Sequence, residues 1–236
     1  MNIKIHKAKE RGTGDHGWLK SNFSFSFADY HDKNRMGFGL LRVLNDDTVA
    51  PGSGFPMHPH SDMEIVSIVT EGELQHKDSL GNGSVIRPGE VQRMSAGSGI
   101  THSEWNPSKT DELKFFQIWI HTGDNGVKPE YEQKSFDFEG RKGELIAIVS
   151  GDSSDGGLTF HQDAWIYRGI LNKGQNFRYE LSNSSNGVMI FVIKGNLVVE
   201  GHTLASRDEI TATDTDSINI YSETETDLLL FEVPQR

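Results

Sequence analysis

The sequence contains no cysteine, which excludes a disulfide framework and any thiolate metal site. It has no run of basic residues, and acidic side chains outnumber basic ones 34 to 23, for a formal charge of −11. That balance argues against nucleic acid or an anionic membrane as a partner. No segment approaches the ~20 consecutive apolar residues of a membrane-spanning helix. The N-terminal stretch MNIKIHKAKERGTGDHG lacks the apolar centre of a signal peptide, so a cytoplasmic location is expected. Helical periodicity is nearly absent too.

What is present is a succession of short apolar runs separated by Gly, Asn, Asp and Pro. FGLLRVL, EIVSIV, KFFQIWI, ELIAIV, VMIFVI, SINIY and DLLLFEV all read as strands, and NFSFSF alternates so that Phe23, Phe25 and Phe27 share a face. Asn82-Gly83 is a two-residue hairpin signal. The chain is therefore expected to be all-β. SIVTEGEL around Gly72 matches FVIKGNL around Gly195, about half the chain further on. This points to two similar barrels in tandem, one over residues 1–125 and one over 126–236.

The chemistry concentrates in the first half. In an extended strand, side chains at i and i+2 point the same way, so His58 and His60 of HPHSDMEI project together. His102 and Glu104 of THSEW do the same. Two such pairs on neighbouring strands would converge on one divalent transition metal, with Glu64 and Glu104 as competing carboxylates. Imidazoles ligate when neutral, so the metal should leave as pH falls through the histidine range. His76, His121 and His161 read as surface or hydrogen-bonded core residues.

These residues resemble a known family. GSGFPMHPHSDMEI fits the first cupin motif through Gly52, His58, His60 and Glu64, with Gly72 one residue late. GSGITHSEWN resembles the second through Gly99, His102 and Asn106, with Gly97 where proline is usual. The fuller strings HGWLKSNFSFSFADYHD, MGFGLLRVLNDD and LGNGSVIRPGEVQRMSAGSGITHSEWNPS are similar to those of bacterial quercetinase-like pirins. The likeness is dense over the first half and thinner beyond it. It implies a bicupin of two jelly-roll barrels, with metal in the N-terminal one only. It also implies a ligand set of His58, His60, His102 and Glu104. Glu64, four residues past His60, would need ~13 Å of strand to be closed by curvature or a bulge, which leaves it outside the ligand set or as a core polar residue.

The resemblance further implies quercetin (flavonol) 2,3-dioxygenation, in which O₂ opens the flavonol ring and carbon monoxide is released. Glu104 would be the catalytic base and Fe(II) the first choice of ion, with Mn, Ni, Co, Zn or Cu as alternatives. Phe25, Phe55, Met57, Met94 and Trp105 are candidates for the wall around a flat aromatic substrate. Two other readings compete: a metal-bearing regulator acting through protein partners, and a different small-molecule cupin oxygenase or isomerase.

Overall fold

The computed structural model describes residues 1–235 and consists almost wholly of strands. They form two seven-stranded and two four-stranded sheets. Each barrel pairs one of each, which makes the molecule a bicupin. In the first barrel the large sheet runs 130–135, 90–95, 63–71, 113–121, 41–49, 19–23 and 12–15. The small sheet runs 54–60, 100–105, 74–78 and 83–86. The second barrel has a large sheet centred on Asn186–Lys194 and Thr226–Pro234, and a small sheet of 176–180, 217–222, 196–199 and 202–205.

The two large sheets pack face to face, which explains the continuous apolar runs. A strand buried on both sides needs apolar residues at every position, not at alternate ones. On Leu113–His121, Phe116, Ile118 and Ile120 enter the core between the barrels, while Phe115, Gln117 and Trp119 point into the first barrel. On Asn186–Lys194, Met189, Phe191 and Ile193 enter the same shared core, and Val188, Ile190 and Val192 fill the second barrel. Phe116 meets Phe191 edge to face at 5.3 Å between ring centroids.

The internal repeat is architectural. Gly72 follows Met63–Glu71 with φ +76°, and Gly195 follows Asn186–Lys194 with φ +100°. A Cβ on either would strike the chain where the neighbouring strand begins, at Glu112 and Leu113 in one case and at Glu225 and Thr226 in the other. The barrels are nevertheless not contiguous halves. Asn2–His6 pairs with Glu209–Thr213 in the second barrel's sheet. Glu130–Ser135, beyond the expected division after residue 125, pairs with Glu90–Ser95 in the first. One local expectation also changes. Leu74–Asp78 and Gly83–Ile86 do form a hairpin, but its loop is longer than two residues, with Lys77 opposite Gly83. The Asp78 carboxylate accepts from the backbone N–H groups of Leu80 and Asn82 there.

The interiors of the two barrels differ in kind. The second is filled by one apolar cluster that includes Tyr179, Leu197, Ile218 and Ile220. The first holds two smaller clusters, around Phe115 and around Ile65. Polar side chains are buried within the same barrel, among them Asn45, Asp47, Ser67, His102, Glu104 and Gln117.

Candidate metal centre

Gly54–His60 and Ile100–Trp105 are antiparallel neighbours that place His102 opposite His58 and Ile100 opposite His60. The register then shifts, so that Glu104 lies opposite Phe55. This is a β-bulge with its extra residue on the His58 strand. It lets Phe55 and His58, three positions apart, both face the interior. Gly54 is required where this pair closes, since a Cβ there would lie 2.2 Å from the Glu104 carbonyl oxygen.

His58, His60 and His102 bring one ligand nitrogen each within 4.8 Å of one another. Their ring centroids are 4.4 to 4.9 Å apart. His58 Nδ1 donates to the Pro56 carbonyl at 2.8 Å, which leaves Nε2 to face the cluster. His102 is fully buried, and neither of its ring nitrogens has a hydrogen-bond partner. Buried polar atoms left without partners are costly, and a metal ion would satisfy one of these. Burial, with the charge of His58, holds His60 down to about 4. Burial and the charges of His58, His60 and His76 hold His102 down to about 2. Both are therefore neutral at pH 7, the form that ligates metal. The donor set of clustered, neutral imidazoles fits a mid-row divalent transition ion.

Glu104, two residues past His102 on the same strand, is buried, with its oxygens already engaged. Ser67 Oγ donates to Oε1 at 3.1 Å and Gln117 Nε2 to Oε2 at 2.8 Å. Burial raises its carboxyl to about 7 against the pull of those two hydrogen bonds. A cavity of about 330 Å³ opens beside it, lined by Glu104, His58, Phe23, Phe27, Phe55 and Trp119 among others. Trp119 also packs edge to face on His60 at 5.0 Å.

The structure separates Glu64 from this group. Its strand begins after the turn at Ser61 and Asp62, where Asp62 takes φ +49°. The parity carried from His60 is lost there. Glu64 shares the face of Val66 and Ile68, toward the second barrel, and accepts from Ser95 Oγ at 2.5 Å. His76 is a hydrogen-bonded core residue: its Nε2 meets Asp78 Oδ2 at 3.0 Å and its ring stacks on Tyr131. It lies 5.3 Å from His102, ring to ring, so it packs behind the cluster.

Of the expected cavity wall, Phe55 is in place. Phe25 lies in the core between the barrels and Met94 in the cluster around Ile65, while Met57 and Trp105 are exposed. The alternation of NFSFSF fails because the strand ends at Phe23, after which the chain bends. Asn45, Asp47, Gln117 and Trp119 were not singled out from sequence. All four lie on strands whose inward faces line the cavity, a signal that alternation within FGLLRVLNDD and KFFQIWI carries once the inward face is known.

Fold and site together define a bicupin with one candidate metal centre among the described residues. In the second barrel the strands paired in the equivalent place are Asn176–Glu180 and Ser217–Ser222. They turn Phe177, Tyr179, Ile218 and Ile220 toward that barrel's apolar core. Residues 4–120 match the family Pirin, and residues 147–233 match the quercetinase C-terminal cupin domain. A quercetin 2,3-dioxygenase of Escherichia coli strain K12 is 44% identical over 98% of this chain and 99% of its own length. A pirin-like protein of Caulobacter vibrioides is 40% identical over 94% and 95%. Among solved structures, the E. coli pirin YhhW in complex with nickel(II) superposes with a TM-score of 0.94 at 42% identity, covering 100% of both chains. The chain belongs to the pirin family.

Proposed function

We propose that this protein is a metal-dependent quercetin (flavonol) 2,3-dioxygenase that opens the flavonol ring with O₂ and releases carbon monoxide. The observation that carries the reading is the aromatic-walled cavity that exposes His58 and Glu104 together. Relatives named quercetin 2,3-dioxygenase support it. His58, His60, His102 and Glu104 hold one divalent ion, with Fe(II) the first choice. The nickel(II) complex of YhhW supports a bound divalent ion.

The bound ion supplies Lewis acidity and the means to combine an electron-rich ring with O₂. The protein's own part is positioning and proton handling. Glu104, buried beside the cavity and fixed in place, is suited by position to take the proton of the flavonol 3-hydroxyl. Ser67 and Gln117 fix its orientation. Phe23, Phe27, Phe55 and Trp119 clamp the flat ring and exclude water.

The test is quercetin consumption under air and under nitrogen by metal-loaded protein, with carbon monoxide as the second readout. Oxygen-dependent loss of quercetin is expected, and it should vanish in His58→Ala. No oxygen-dependent loss with metal fully loaded overturns the reading. Metal content checks the ligand set independently: Glu104→Gln should lower it and Glu64→Gln should leave it unchanged.

A further inference from the structure

The cavity wall is largely aromatic and aliphatic, yet strand Leu41–Val49 presents two polar side chains to it. Asn45 and Asp47 are 2% and 3% exposed, sit two residues apart on one face, and both line the cavity. Asn45 Oδ1 and Asp47 Oδ1 are buried with no hydrogen-bond partner. Asn45 lies opposite Gln117, whose amide is committed to Glu104. Asp47 lies opposite Ser21 on its other side. The Ser21 hydroxyl is set against the Asp47 carboxyl, and Oδ1 is still left over.

A buried acceptor without a partner costs about 1–3 kcal/mol, whereas an apolar side chain of similar shape would cost little. The second barrel's interior is mostly apolar, and the buried carboxylate on its inward face, Glu232, is fully partnered by Tyr179, Ser182, Asn183 and Asn186. Nor does this stretch of strand need carboxylates for its own sake, because Asp46 faces the other way and pairs with Arg11 and Arg207. The unpaired acceptors therefore point to a donor that arrives with the ligand.

We propose that Asn45 and Asp47 form a hydroxyl-recognition ledge that holds a ring hydroxyl of the aromatic substrate and thereby orients it toward His58 and Glu104. This deepens the dioxygenase reading and rests on it for the identity of the ring. With the carboxyls of Asp47 and Glu104 both on this wall, the ledge selects neutral polyhydroxylated aromatics over aromatic carboxylates.

The experiment is equilibrium binding under nitrogen, followed by quenching of intrinsic tryptophan fluorescence in metal-loaded protein. It compares quercetin with 3-hydroxyflavone, which lacks the other ring hydroxyls. Wild type is expected to prefer quercetin by about ten- to a hundredfold, as a site built to hydrogen-bond a hydroxyl does. Asn45→Ala and Asp47→Ala, which cannot overpack the cavity, should each reduce that ratio about tenfold with metal content unchanged. Asp47→Asn keeps an acceptor and should retain most of it. An unchanged ratio in both alanine variants overturns the proposal, as does a wild type with no preference or no binding of either compound. A preference that the alanine variants abolish, in a protein that consumes no flavonol in air, sinks the dioxygenase reading and leaves the ledge standing.

Discussion

At the scale of single residues, Asp46 and Asp47 are neighbours with opposite fates. Asp46 is held by Arg11 and Arg207, while Asp47 is buried against the cavity and its carboxyl is raised to about 7, chiefly by burial. A folded-state value above the ordinary one of 3.8 means that the folded chain resists ionising Asp47. The penalty is absent below pH ~4, grows as pH rises, and is complete above pH ~7. Asp47→Asn should therefore stabilise the metal-free protein by on the order of 2 kcal/mol at pH 8, and by less than half as much at pH 5. Thermal melts at the two pH values check this, and an equal shift at both would contradict it. Asp47 was illegible in the sequence because Asn-Asp-Asp reads as loop punctuation. The strand runs on through it to Val49 only because both neighbouring strands pair with it. His58, His60 and His102 were legible because strand parity is local. Glu64 was set apart by its distance along the strand, and the turn at Asp62 also turns it to the other face.

At the scale of elements, the centre depends on how two short strands meet. The bulge opposite His102 and Glu104 needs close approach of Gly54 to the Glu104 carbonyl and to Trp105 Cα. In Gly54→Ala the added Cβ has backbone against it, which cannot swing aside as a side chain would. The strands must part, at a cost of about 1–3 kcal/mol, and the His102 ring must move away from His58. The expected outcome is a folded protein with at least tenfold weaker metal affinity, measured by competition with a chromophoric chelator. Unaltered affinity would mean that the histidines tolerate displacement of their strands. Bulge and register were not readable beforehand, since both arise from pairing between distant segments. The strands themselves were readable, because runs such as KFFQIWI and VMIFVI bear the mark of burial on both faces.

At the scale of the whole molecule, the two barrels are joined by more than a linker. They share a core, Asn2–His6 crosses into the second barrel's sheet, and they meet at a buried carboxylate, Glu209. Arg35 reaches Glu209 at 2.5 Å, Arg11 at 3.5 Å and His6 at 3.6 Å, and the Ser24 hydroxyl donates to it as well. Burial alone would raise this carboxyl. The neighbouring His6 ring and the charges of Arg35 and Arg11 outweigh burial and hold it below its ordinary value. It therefore stabilises the fold above the ordinary carboxylate pKa, and that contribution is lost as pH falls through the lowered one. Glu209→Gln leaves Arg35 without its counter-charge and buried Arg11 with Asp46 alone, which costs on the order of 3–5 kcal/mol. Each barrel has apolar clusters of its own, but the core between them couples the two. Calorimetry of wild type should therefore show one transition, and Glu209→Gln should lower it by roughly 10 °C without splitting it. A split transition would mean that the shared core does not couple the barrels. Stability of the metal-bearing barrel would then be independent of its apolar twin.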